Sequence, residues 1–193
     1  MVFNITLSRR LKKRDYNNYN IKKVTSFKDP EIVEFLNKAS NMNSTEHNND
    51  FKVKFKPTNF NEIDLKDKKE IEHIIYVLYR DNSVCSSRIV GYIYATIDKS
   101  NNDLAEKEFG IPNTQINEIF ILPEFREKGY AKSLLRTACN YMRNRHNVND
   151  IMVSIAKKNT KAIMMYRHFL FNHTDINLSD DIAIYIKSYD VRK

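Results

Sequence analysis

Residues 126–131 read REKGYA, and three of them carry chemistry: Arg126 and Lys128 are cations, and Gly129 has no side chain. The run lies where strand-like QINEIFIL (115–122) passes, after Pro123, into a helix-like stretch starting at Gly129. A helix start exposes unpaired amides and about half a positive charge, which suits a phosphate. At Gly129 no Cβ keeps a ligand away from the backbone, and Arg126 can present a forked donor to an anion. These residues permit a diphosphate site without requiring one, because glycine also opens helices as plain punctuation. Neither G-x-x-x-x-G-K-[ST] nor G-x-G-x-x-G occurs.

Other reactive side chains are sparse. Glu118 is the one carboxylate in 115–122; it is a candidate base or water-orienting group, with a salt-bridged or solvated carboxylate as the alternative. His47, His73, His146, His168 and His173 form no H-E-x-x-H and no zinc spacing with Cys85 or Cys139, so no metal is expected. His168 and His173 fit surface or loop positions better than acid–base roles. Asp175, Asp180 and Asp181 could attract a cationic amine but read first as a solvated turn.

The elements that must position these groups follow from periodicity. DPEIVEFLNKASNM (29–42) has Asp29 as a cap, Pro30 in the first turn, and an apolar stripe of Ile32, Val33, Phe35 and Leu36, so it reads as a helix. NSTEHNND (43–50) reads as loop and FKVKFK (51–56) as a weak strand. HIIYVLYR (73–80) and IVGYIYATI (89–97) suit an antiparallel hairpin, and 98–114 is polar loop. A helix from Gly129 to about residue 146, a strand at 151–156 and a helix capped by Asn159 come next. A polar hairpin at 172–181 then leads to a strand at 182–187. This order predicts a mixed sheet covered by helices.

With 193 residues, no Pro/Gly/Ser linker and no repeats, the chain (1–193) reads as one domain, and 1–18 is a candidate flexible basic segment containing RRLKKR. The net charge of +8 favours an anionic partner without choosing among nucleic acid, acidic lipid and a polyphosphate cofactor. There is no secretory pattern and no apolar run near the ~18 residues of a membrane span, so an intracellular, cytoplasmic protein is expected, with a nuclear address left open by RRLKKR.

Two linked signatures give the chain a resemblance to the GCN5-related N-acetyltransferase superfamily. INEIFILPEFREKGYAKSLL resembles its acetyl-CoA loop, [QR]-x-x-G-x-[GA] after a strand and a proline, through Pro123, Arg126, Gly129 and Ala131. NTKAIMMYRHFLF resembles its N-x-x-A-x-x-x-Y element through Asn159, Ala162, Tyr166 and Phe171. One departure is Leu170, where the family usually places glycine.

The resemblance implies an α/β (α+β mixed) fold: a mostly antiparallel sheet in which two parallel strands splay apart, flanked by about four helices. It implies an acetyl-CoA-dependent N-acetyltransferase acting on a primary amine, either a small molecule or a protein N-terminus or lysine. Ile119, Phe120 and Ile121 amides would bond the pantetheine, that of Ile121 also polarising the thioester carbonyl. The diphosphate would sit on Glu127, Lys128, Gly129, Tyr130, Ala131 and Lys132, with Arg126 adding charge and Asn159 bonding the arm. Tyr166 would be the acid that protonates the leaving thiolate; by itself it reads as a core aromatic on an amphipathic helix. A catalytically silent acetyl-CoA-binding module is the alternative. A nucleic-acid binder is a third, disfavoured by the lack of an aromatic-interleaved basic strand.

Overall fold

A computed structural model describes residues 19–66, 70–80, 89–99 and 112–189. RRLKKR, Cys85 and most of the 98–114 loop lie outside them. Seven strands form one sheet: β1 (Asn20–Lys23), β2 (Ile71–Tyr79), β3 (Ile89–Asp98), β4 (Thr114–Ile121), β5 (Asp150–Ala156), β6 (Asn172–Ser179) and β7 (Ile182–Ser188), in spatial order β1-β2-β3-β4-β5-β7-β6. Only β4 and β5 pair in parallel, as expected for the fold. Among the described residues there are three α-helices rather than about four: α1 (Pro30–Phe51), α2 (Tyr130–His146) and α3 (Thr160–His168).

α1 starts where Asp29 caps it, accepting from Glu31 N at 3.0 Å, with Pro30 in the first turn. It does not stop at residue 42: the stretch 43–50, read as loop from its Asn, Ser and Thr, continues the helix. Thr45 turns back on the helix, donating to Asn41 O at 2.9 Å, as Asn41 just before the stretch does to Asn37 O at 2.8 Å, instead of opening a turn. Asn43 and Ser44 are buried, so tertiary packing decides the length. The strand expected at 51–56 is absent for a related reason. Phe55 N donates to Asn48 Oδ1 at 2.8 Å and Phe55 O accepts from Ser44, so backbone groups a ladder would use are held by α1.

The sheet has two dry faces. On one, Ile74, Ile93, Ile116 and Ile151 pack against Leu134, Leu135, Ala138 and Met142 of α2. On the other, Val77, Tyr92, Tyr94 and Phe120 pack against Leu36 of α1 and Phe60. Burying a side chain the size of Leu36 contributes about 1.5–3 kcal/mol. Gly91 in β3 is required by contact: a Cβ there would come within 2.6 Å of Phe120 O. β4 ends at Pro123, and a 3-10 turn (Pro123–Phe125) leads to α2.

β6 makes a full strand of a segment read as polar hairpin, because it pairs along β7 at the sheet edge. β1 is likewise absent from the sequence reading; four residues on the sheet edge carry little periodicity. After α3, Leu170 adopts φ 64 with its side chain 71% exposed, and Phe171 N reaches back to Tyr166 O at 3.1 Å. A leucine thus takes the left-handed position that glycine usually fills at a helix end, at a cost of about 1–2 kcal/mol.

Candidate active site

The parallel pairing of β4 with β5 is confined to Gln115–Met152 and Ile116–Val153. Beyond it the strands separate, and β4 keeps its ladder only toward β3. Asn117 is an extra residue in that ladder: Ala95 faces Ile116 and Tyr94 faces Glu118. Leu122 N donates to Val90 O on β3 at 2.9 Å. Amides alternate along an extended strand, so Phe120 N also points to β3, and the amides of Ile119 and Ile121 point into the gap.

A cavity of about 420 Å³ runs from Ile119, Phe120 and Ile121 to the start of α2, where Arg126, Glu127, Gly129, Tyr130, Ala131 and Lys132 line it. Gly129 has φ 84, and an added Cβ would meet nothing within 4 Å. Its conformation, not crowding within the protein, demands glycine, and the space in front of it is open. Glu127, with φ 64, shares the strained turn. No side chain caps α2, and its ladder begins with Ser133 N donating to Gly129 O at 3.2 Å. The amides of Tyr130, Ala131 and Lys132 therefore emerge from the helix end toward the cavity.

The two cations of the loop are placed differently from the sequence reading. Arg126 donates through Nε to Ile121 O at 2.9 Å and through its fork to Glu46 of α1 at 2.8 and 2.9 Å. Its guanidinium also lies over the Phe120 ring. Lys128 turns to Glu124 O and the Phe125 ring, outside the cavity lining. Lys132 and Lys161 are the ammonium groups on the lining.

A second cavity, of about 220 Å³, fills the gap itself between Asn117–Ile119 and Val153–Ala156, roofed by Asn43 and His47 of α1. Tyr166 and Asn159 line it. Tyr166 is 3% exposed, its ring edge-on to Phe171, and burial, with the Cys139 thiol adding, pushes its phenol far above the ordinary value. It stays protonated throughout the working pH range. Asn159 Oδ1 caps α3 by accepting from Ala162 N at 3.1 Å, which leaves its amide NH₂ as the end able to meet a ligand.

Glu118 is neither solvated nor salt-bridged. It is 4% exposed and accepts from Ser40 Oγ at 3.1 Å and from the hydroxyls of Thr58 and Tyr92. Asn117 and Glu118 border both this gap and a third cavity of about 470 Å³, lined also by Thr58, Glu62, His73 and Tyr94. The described residues therefore join a cofactor-sized groove, a narrow gap and an acidic outer chamber, with Glu118 between the last two.

Sequence reasoning missed Glu46, Ser40, Thr58, Tyr94 and His73. Asn43, Glu46 and His47 sit at i, i+3, i+4, a helical spacing that reading 43–50 as helix would have exposed. Nothing local in the sequence marks Thr58 or His73. Among the described residues no cluster of three His, Cys, Asp or Glu could hold a metal, and no helix is long and apolar enough to cross a membrane.

Comparison with known proteins agrees with this arrangement. The family model described as Acetyltransferase (GNAT) family matches residues 38–171. An N-alpha-acetyltransferase of Saccharolobus solfataricus is 28% identical over 108 residues, 56% of this chain and 62% of that protein, so the match spans less than two thirds of the relative. Among solved structures, the ribosomal-protein-S18-alanine N-acetyltransferase of Escherichia coli aligns with TM-score 0.58 and 10% identity over 91% of this chain and 96% of its own. A mutant spermidine N-acetyltransferase SpeG of Vibrio cholerae aligns with TM-score 0.60 and 14% identity over 89% and 94%. At these identities the two structures speak for the fold.

Proposed function

The chain belongs to the acetyltransferase (GNAT) family, and from that premise we propose that it transfers an acetyl group from acetyl-CoA directly to a primary amine. The observation that carries this reading is the opening of β4 from β5 after Ile116, continuous with a groove that ends on the bare amides of α2.

Acetyl-CoA fits what the residues present. The Ile119 and Ile121 amides face the gap, the Tyr130–Lys132 amides border the same groove, and the open space before Gly129 admits a diphosphate. When bound, the cofactor supplies an acyl group activated as a thioester. The chain's part is to hold and polarise it. Ile119 and Ile121 amides would orient the arm, and Ile121 N–H would be the donor to the thioester carbonyl. Phe120 contributes its place on the wall, its amide being directed at β3. Glu127–Lys132 amides take the diphosphate, with Lys132 and Lys161 supplying positive charge.

Arg126 acts here as a strut joining the end of β4 to α1 through Glu46, so its contribution is the shape of the loop. Asn159 donates to the arm. Glu118, held by three hydroxyls, draws in the ammonium of the acceptor and orients the nitrogen toward the gap. Tyr166, protonated at working pH, would supply the proton for the departing thiolate and would regain one as the nitrogen sheds its second proton on becoming an amide. A silent binding module would need the Tyr166 ring for packing against Phe171 but would have no use for a chamber opening on Glu118. Of the acceptor classes, the α-amine of a polypeptide is favoured by the name of the Saccharolobus relative.

Acetyl-CoA at ten times its dissociation constant is expected to stabilise the protein by RT ln 11, about 1.4 kcal/mol, visible as a rise in melting temperature. A polynucleotide of matched charge should give no comparable shift. A response to the polynucleotide alone would replace this reading with the nucleic-acid one.

A further inference from the structure

Outside the proposed reaction stand the Glu72–Lys99–His146 cluster, the buried Cys139, the exposed Met164 and Leu170, and the outer chamber. The outer chamber carries the most chemistry that the proposed function leaves unused.

His73 of β2 and Tyr94 of β3 meet there, Tyr94 OH and His73 Nδ1 being 2.9 Å apart with the rings stacked at 6.0 Å between centroids. Tyr94 stands opposite Glu118 in the β3–β4 register, beside the carboxylate that faces the gap. All three side chains border the same chamber. The reaction R–NH₃⁺ + acetyl-S-CoA → R–NH–acetyl + HS-CoA + H⁺ releases one proton, and no group described so far takes it away. Glu118 is poorly placed to do so alone, since three hydroxyl hydrogens already occupy its oxygens.

We propose that Tyr94 and His73 form the outlet for that proton. The ammonium nitrogen, held at Glu118, gives a proton to Tyr94 Oη while the Tyr94 hydroxyl proton passes to His73 Nδ1. The nitrogen lone pair is then free for the thioester carbon, and the imidazolium passes its proton to water in the chamber. For Tyr94 to donate to Nδ1, the resting His73 carries its hydrogen on Nε2. Acid and base then stand on opposite faces of the sheet, Tyr166 packed with the α2 side and Tyr94 with the α1 side.

The surroundings suit both partners. Burial lowers the His73 pKa below its ordinary value, with Asp64 pulling weakly upward, so the resting ring is neutral at pH 7 and gives up an acquired proton readily. Burial, with the Glu118 charge adding, raises Tyr94 to about 12, so it passes a proton without ionising. The charged groups that share the chamber with His73 among the described residues are Glu62, Glu118 and Lys56.

This inference rests on the amine acetylation proposed above, and the test separates the two. Thiol release from acetyl-CoA is followed from pH 6 to 9.5 with a peptide bearing a free N-terminus, for wild type, His73→Gln and Tyr94→Phe. Both variants are expected to lose about 10-fold in kcat/KM at pH 7 and more below it, because only about one-tenth of an α-amine of pKa near 8 is free at pH 7. The deficit should shrink through pH 8 and vanish by pH 9.5, because the peptide α-amine, of pKa about 7.7–8.0, sheds its own proton there. Tyr94→Phe keeps the ring in its packing and carries the test if His73→Gln folds poorly. The double variant should be no slower than either single one. Wild-type rates in both variants, or a deficit equal at every pH, would overturn the outlet while leaving the acetyltransferase reading intact. A wild type that binds acetyl-CoA yet releases thiol with neither the peptide nor any other primary amine would overturn both.

Discussion

Tyr166→Phe is expected to lower turnover by about 10²–10⁴-fold and to leave the affinity for acetyl-CoA nearly unchanged. The residue is 3% exposed and lines the gap between β4 and β5, and the groove that would take the diphosphate lies elsewhere, at the start of α2. Removing one oxygen keeps the ring against Phe171, so the fold should survive. What is lost is the proton for the leaving thiolate, and the loss should therefore fall on kcat. It should also shrink for an acyl donor whose leaving thiol has a low pKa, because such a thiolate departs without help. Steady-state kinetics with two thioesters, together with equilibrium binding of CoA, reads all three quantities. Unchanged turnover would return Tyr166 to a purely packing role.

Gly129→Asp should abolish most cofactor binding while sparing the fold. Aspartate tolerates the left-handed region better than most residues, so the backbone conformation at φ 84 should cost the apoprotein no more than about 1–2 kcal/mol. The added side chain would meet nothing within 4 Å of its Cβ, on a turn that borders the groove proposed for the diphosphate. There its carboxylate faces the diphosphate at close range, where two like charges about 4 Å apart oppose each other by on the order of 4 kcal/mol near a protein surface, less after screening. The dissociation constant for acetyl-CoA should rise at least ~10²-fold. Calorimetric titration of folded Gly129→Asp measures it, and a wild-type constant would place the diphosphate away from this turn.

The parts of the fold that were legible in the sequence are those where one physical signal dominates. β2, β3, β4 and β5 are β-branched and aromatic runs, and α2 and α3 carry clear apolar stripes with Gly129 and Asn159 at their starts. Where several weak signals compete, the reading failed. Asn, Ser and Thr at 43–50 look like loop because each can bond its own backbone, yet Thr45 bonds back along α1, Ser44 and Asn48 hold Phe55, and the buried faces of Asn43 and Ser44 keep the helix in place.

The candidate site divides in the same way. Gly129, Asn159 and Tyr166 belong to local motifs and could be read. Glu118 could be picked out as a lone carboxylate, but its three hydroxyl partners come from residues 40, 58 and 92, which only the folded sheet gathers. From sequence alone the Arg126 fork suits a phosphate, since its partner Glu46 lies in the stretch 43–50 that reads as loop. His73 escaped because its partner is on the neighbouring strand, a relation with no fixed sequence spacing.

The central claim is that the gap between β4 and β5 brings a thioester and an amine together for direct transfer. Thiol release from acetyl-CoA, measured with and without amines spanning N-terminal peptides, lysine peptides, polyamines and amino sugars, tests it most directly. The account expects release that depends on at least one of these amines and matches, mole for mole, an acetylated product. Tight binding of acetyl-CoA with no amine-dependent release from any member of the panel would contradict it.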